Sequence, residues 1–259
     1  MNTSTRKKRK ITAVILAAAA LLIAFAAVWT IKILNPAQPS VRASAVLEQA
    51  LSGSGKVSAD IDEEGNISFL PAEKTDTGII FYPGALVDNR AYSPICQKLA
   101  EKGFFTVICK ADLNISLLDI DDADKVMTDN PDIKHWYIGG HSMGGVASAF
   151  YAEKNCDRLD GMILLASFST ADLTRSDLPV ILVCASDDGI LRTDKYEKNK
   201  VNLPSGYTEA KIDGGCHAYF GDYGEQRGDG KPSITNEIQQ EIAVSDIKSF
   251  ITQNADSAA

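Results

Sequence analysis

Lys134-His135-Trp136-Tyr137-Ile138-Gly139-Gly140-His141-Ser142-Met143-Gly144-Gly145-Val146-Ala147-Ser148-Ala149-Phe150 is the stretch from which the rest of the chain is read. Trp136, Tyr137 and Ile138 are aromatic or β-branched and suit a short buried strand, whereas Met143, Val146, Ala147 and Phe150 recur at helical spacing. A strand therefore runs into a helix through Gly140-His141-Ser142-Met143-Gly144. A turn this tight strains its central residue, and side chains two positions before and after it would collide with strand or helix; Gly140 and Gly144 have none. The strain lifts the Ser142 hydroxyl clear of the backbone as a nucleophile elbow. The start of the helix offers the Met143 N–H to a developing oxyanion.

A serine hydroxyl is a weak nucleophile and needs a base, which in turn needs a partner to fix its tautomer. The chain has three histidines. His135 opens the elbow strand as a surface residue, and His141 lies inside the elbow with its side chain turned from the hydroxyl. His217 remains, in the loop Asp213-Gly214-Gly215-Cys216-His217-Ala218-Tyr219-Phe220 after a strand over 208–212. Asp187 and Asp188 stand just past an apolar strand over 179–185, where ligand crevices of parallel sheets lie, and either can face His217.

Outward from this centre, 77–85 reads as a buried strand ending in a Pro83-Gly84 turn. An amphipathic helix through Tyr92, Ile95, Leu99 and Ala100 follows, and then a strand over 104–109. Strand, helix, strand at this spacing is a βαβ unit and implies a parallel sheet. Residues 57–61 and 67–70 form a first hairpin, 119–127 an acid-led helix, 161–166 another strand, and the chain ends in a helix through Ile238, Ile242, Ile247 and Ile251. Only about a dozen residues separate the strands at 161–166 and 179–185, too few for an inserted domain, and an exposed or shallow site is expected. The glycine-rich segment 221–231 lacks the ligand spacing of a calcium loop and reads as a surface loop at the pocket rim; Tyr219, Phe220 and Tyr223 either line the acyl site or pack beneath it.

The chain of 259 residues carries a formal net charge of −8, but residues 1–34 hold six of the 26 basic residues and no acidic one, which leaves the remainder at −14. Such a domain is repelled by phosphate backbones, and no nucleic-acid partner is expected. Five cysteines without C-x-x-C spacing indicate neither a disulfide framework nor a metal site; Cys216, beside the candidate base, is either a reactive thiol or a packing residue.

At the N-terminus, the basic residues within 1–10 precede 21 uncharged residues at 11–31. As a helix that run measures about 31 Å, the thickness of a bilayer core. The reading is a basic cytoplasmic N-terminus (1–10), an uncleaved transmembrane signal anchor (11–31), a linker and short helix (32–56) and a catalytic domain (57–259). The positive-inside preference places that domain on the extracytoplasmic side of the cell membrane.

Gly140-His141-Ser142-Met143-Gly144-Gly145 resembles the elbow of the α/β-hydrolase superfamily, and the order serine, aspartate, histidine is that superfamily's. The resemblance covers about 57–254 and implies an α/β-hydrolase fold, a mostly parallel sheet with helices on both faces. Ser186-Asp187-Asp188-Gly189-Ile190-Leu191 is similar to the family's acid loop in a way that selects Asp188, with Asp187 in reserve. Pro83-Gly84-Ala85 looks like the turn whose second donor, here the Ala85 N–H, completes the oxyanion hole. The implied activity is that of a serine hydrolase acting on a carboxylic ester or thioester, small-molecule or lipid, with no metal or organic cofactor. A non-catalytic binding protein on the same scaffold, or an acyltransferase, is the alternative. The stretch around His217 resembles small lidless hydrolases of the dienelactone-hydrolase-like branch, although true dienelactone hydrolases have a cysteine where this chain has Ser142.

Overall fold

A computed structural model describes residues 3–258, without side-chain detail at 3–11, 13, 14, 25, 26, 32, 34 and 256–258. It divides into two compact units, Met1–Pro36 and Ala37–Ala259. The first consists mainly of one helix, α1 (Thr3–Leu34). Among the described residues no helix is long and apolar enough to cross a membrane, so the expected span is not reproduced. Residues 11, 13, 14, 25 and 26 of the uncharged run lie outside the described side chains, and the described stretch 15–24 measures about 15 Å as a helix, half a bilayer core.

The second unit begins with α2 (Val41–Leu51), capped by the Ser40 hydroxyl, which accepts from the Ala43 N–H. A hairpin follows, β1 (Ser58–Ile61) against β2 (Ile67–Leu70), antiparallel with Ile61 opposite Ile67. Then come β3 (Thr77–Tyr82), α3 (Ser93–Glu101), β4 (Phe105–Ile108), α4 (Asp122–Asp129), β5 (His135–His141) and α5 (Met143–Asn155). β6 (Gly161–Leu165), β7 (Val180–Ala185), α6 (Thr193–Asn199), β8 (Thr208–Ile212) and α7 (Asn236–Ala258) complete the unit.

The eight strands form one sheet in the order β1-β2-β4-β3-β5-β6-β7-β8, parallel from β4 to β8 and antiparallel at the hairpin edge. Strands buried on both faces explain the near-continuous apolar runs Ile79-Ile80-Phe81 and Met162-Ile163-Leu164. Alternate residues feed two cores. Ile79, Ile163 and Ile181 pack with Leu47 of α2, Leu99 of α3 and Ile247 of α7, while Ile80, Leu164 and Leu182 pack on the other face with Val126 of α4, Ala149 of α5 and Tyr196 of α6. Because β4 and β5 flank β3, the sheet reverses direction of growth at β3. The C-terminal ends of β3 and β5 open the crevice where parallel sheets bind ligands.

Candidate active site

Ser142 sits between β5 and α5 with φ +53° and ψ −119°, a strained conformation for a residue with a side chain. A β-carbon on Gly144 would lie 2.0 Å from the Tyr82 carbonyl oxygen, and one on Gly140 2.4 Å from the same atom, so the elbow closes only because both positions are glycine. The turn is anchored from both sides. The Ser142 N–H donates to the Leu165 carbonyl at 2.9 Å, and the Ser167 hydroxyl donates to the Ser142 carbonyl at 2.6 Å. Among the described residues the Ser142 hydroxyl makes no hydrogen bond, and neither the Met143 nor the Ala85 N–H donates to a protein acceptor.

His217 and Asp188 meet. The His217 Nδ1–H donates to Asp188 Oδ2 at 2.8 Å, with both side chains 3% exposed, which leaves Nε2 as the basic nitrogen. The other Asp188 oxygen accepts from the Ile190 and Leu191 N–H groups at 2.8 and 2.7 Å and so fixes the carboxylate plane. Asp187 instead accepts from its neighbour Ser186 at 3.3 Å, with no bond to His217. The elbow is brought up to this pair through His141, whose ring centroid lies 4.5 Å from that of His217.

His141 is buried rather than idle. The Gly84 N–H donates to the Tyr92 hydroxyl at 3.0 Å, and that hydroxyl is hydrogen-bonded in turn to His141 Nδ1 at 2.9 Å. Burial, reinforced by the charge His217 can carry, holds the His141 imidazole well below its ordinary pKa, so it stays neutral. This chain joins the turn after β3 to the elbow after β5. From the far side, the Ser116 hydroxyl donates to the Pro83 carbonyl at 2.8 Å.

The N-terminal edge of the unit is pinned to the same turn. The Ala37 N–H donates to the Leu86 carbonyl at 2.7 Å, the Asp88 N–H donates to the Ala37 carbonyl at 2.9 Å, and Ala37 forms an isolated parallel bridge with Val87. Arg42 ties α2 to the segment after His217, donating to Asp222 at 2.7 Å, to Gln240 at 2.9 Å and to Asn236.

Cys216 is 2% exposed, and burial together with nearby Asp229 pushes its thiol up to about 12, so it packs and stays protonated. Phe220 is fully buried 5.8 Å from the His141 ring, and Tyr223 stacks at 6.5 Å from Tyr92; these two aromatics pack under the loop. His135 is exposed and pairs with Asp160 at 3.0 Å, away from the serine. Sequence reasoning missed Ser167, Tyr92, Arg42 and the backbone-gathering role of Asp229 described below. The only local signal was the glycine on either side of Asp229. Cavities of about 880 and 1190 Å³ lie elsewhere on the unit and are lined by none of Ser142, Asp188 or His217, so volume does not mark this site.

Solved structures similar to this chain carry the same fold. A protein described as a CIB-like hydrolase from Thermoplasma acidophilum matches with a TM-score of 0.55 and 15% identity, over 74% of this chain and 98% of its own. A lipase candidate from Acinetobacter baumannii matches with a TM-score of 0.60 and 10% identity over 84% of this chain and 98% of its own. Est1E from Butyrivibrio proteoclasticus matches with a TM-score of 0.54 and 13% identity over 78% and 99%. No curated protein matches. The family model described as the alpha/beta hydrolase family matches residues 78–241, which span every strand from β3 to β8, the elbow and the His217 loop, and the chain belongs to that family.

Proposed function

We propose that this hydrolase-fold protein is a serine hydrolase of carboxylic esters or thioesters. Ser142 is the nucleophile, His217 the general base and then general acid, and Asp188 the carboxylate that orients and stabilises the imidazole. In this reading the serine oxygen attacks the acyl carbon as its proton passes to His217 Nε2. The Met143 and Ala85 N–H groups hold the oxyanion, and the proton returns to the leaving oxygen or sulfur. Water, activated by the same imidazole, then releases the acid from the acyl-enzyme. The observation that carries the reading is the buried 2.8 Å His217–Asp188 bond beside a serine held at φ +53°. Ser142→Ala is expected to abolish turnover of p-nitrophenyl acetate and butyrate and capture by a fluorophosphonate probe while leaving the thermal transition in place. Unchanged turnover in that variant removes the assignment; an intact wild-type chain that neither turns over nor is captured favours a binding protein on this scaffold.

The protein acts, in the same proposal, at a cell membrane. The support is the sequence alone: five basic residues at 6–10 before the uncharged run 11–31, with the domain on the extracytoplasmic side by the positive-inside preference. Retention of the full chain in the membrane fraction after a carbonate wash is the expected result, and release into the supernatant overturns it. Proximity to lipid makes lipid or envelope esters suitable substrates, to be tested with esters of graded chain length.

A further inference from the structure

The segment 221–231, read from sequence as a rim loop, folds back so that one carboxylate reaches the backbone beside both His217 and Asp188. Asp229 Oδ1 accepts from the Gly189 N–H at 3.1 Å, the His217 N–H at 3.2 Å and its own neighbour Gly230 at 2.8 Å, while Oδ2 accepts from the Ala218 N–H at 2.8 Å. Gly189 follows Asp188 directly, and His217 and Ala218 are the partner itself and the residue after it. Two loops whose functional residues stand 29 positions apart are thus gripped by a single side chain.

The fit is close at the backbone level. A β-carbon on Gly230 would lie 1.7 Å from the Asp187 carbonyl oxygen, and one on Gly189 2.5 Å from the Gly228 carbonyl oxygen. Gly228 and Gly230 therefore lie backbone to backbone against Gly189 and Asp187. Burial opposes ionisation of Asp229, but the four backbone donors outweigh it and hold the carboxyl below its usual range. Four N–H groups need acceptor lone pairs on both oxygens, which a carboxylate has and a carboxamide does not.

We propose that Asp229 is a positioning residue that sets the distance and angle between His217 and Asp188 by anchoring the backbone next to each. The proposal rests on the serine-hydrolase reading for its effect on turnover, but its structural content can be tested apart from turnover. In Asp229→Asn the amide NH2 must face either Ala218 or the three donors at Oδ1, so at least one grip becomes a repulsion.

The test compares wild type, Asp229→Asn and the exposed loop control Asp213→Asn in three measurements on the full chain: the low-field proton resonance of the His217 Nδ1–H, the pH dependence of kcat/KM on p-nitrophenyl butyrate, and the thermal transition. Asp229→Asn is expected to lose or shift the resonance, to lower kcat/KM roughly 10- to 100-fold with the thermal transition still cooperative, and to move the acid limb of the profile, because Asp188 no longer stabilises the imidazolium at full strength. Asp213→Asn is expected to leave all three unchanged. An unmoved resonance and acid limb in Asp229→Asn overturn the proposal, as does an activity loss that merely follows the unfolded fraction. Loss of the resonance in Asp229→Asn alongside wild-type turnover that survives Ser142→Ala leaves the positioning role standing and removes the serine-hydrolase reading instead.

Discussion

The two halves of the site are held in opposite ways. The proposed acid–base half, His217 with Asp188, is saturated: each carboxylate oxygen of Asp188 is engaged, the His217 backbone is anchored, and both side chains are buried. The proposed nucleophile and oxyanion half is held from behind, through Tyr92, His141, Ser116 and Ser167, while the Ser142 hydroxyl and the Met143 and Ala85 N–H groups make no bond to protein among the described residues. In the proposed mechanism the difference follows from what each half has to do. A tautomer must be fixed before reaction, so its bonds are made in advance; oxyanion donors act only if they are not already satisfied by the protein.

The sharpest way to break this comparison is to remove the proposed nucleophile. Ser142→Ala is expected to lower ester turnover by about 10⁴-fold or more with stability unchanged, measured as kcat/KM and thermal transition side by side. Next comes the saturated half. Asp188→Asn keeps one oxygen for the Ile190 and Leu191 donors but offers His217 an amide, and a loss of about 10³- to 10⁴-fold in kcat is expected; a smaller effect than at any residue behind the elbow would reverse the ranking of the two halves.

A smaller effect is expected from the supports of the proposed oxyanion turn. A β-carbon at Gly84 would lie 2.8 Å from the Tyr92 hydroxyl and 3.0 Å from His141 Nδ1, so Gly84→Ala must displace either the turn or the relay; kcat is expected to fall about 10- to 100-fold with KM little changed. Tyr92→Phe removes the acceptor of the Gly84 N–H and the hydrogen-bond partner of His141, and is expected to cost about 1–3 kcal/mol of stability, read by denaturant unfolding.

The smallest expected effect concerns pH. The folded His141 binds its proton less readily than an unfolded histidine, so the unfolded state takes up more protons as the pH falls below about 6.5. Stability contributed by keeping His141 neutral is therefore present above that pH and declines below it. The thermal transition is expected to drop over that window in wild type and to drop less steeply in His141→Phe.

Much of this was legible in the chain itself, for identifiable reasons. Strands buried on both faces write themselves as apolar runs, and Gly140, Ser142 and Gly144 are spaced by the steric needs of one local turn. The hairpin, the βαβ unit and the closing helix follow from composition and period in the same way. What could not be read are contacts between distant segments through backbone groups. The N–H groups that meet on Asp229 come from 11, 12 and 40 positions away as well as from its neighbour, and a backbone donor leaves no trace in residue identity. The two 3₁₀ turns at Asp112–Asn114 and Ser116–Leu118 escaped for a related reason: Leu113 at φ +53° and Asn114 at φ +55° are held by their surroundings, the Asn114 carbonyl accepting from the Leu86 N–H at 2.7 Å.

The bridge between Ala37 and Val87 has a practical edge. Anyone trimming this protein to an easily handled fragment would look for a cut just beyond the N-terminal helix, and only Asn35 and Pro36 stand between the end of that helix and Ala37. A fragment beginning at Pro36 keeps the strap across the Leu86 carbonyl, whereas one beginning at Val41 sheds it and leaves that carbonyl, on the residue after Ala85, and the Asp88 N–H to water.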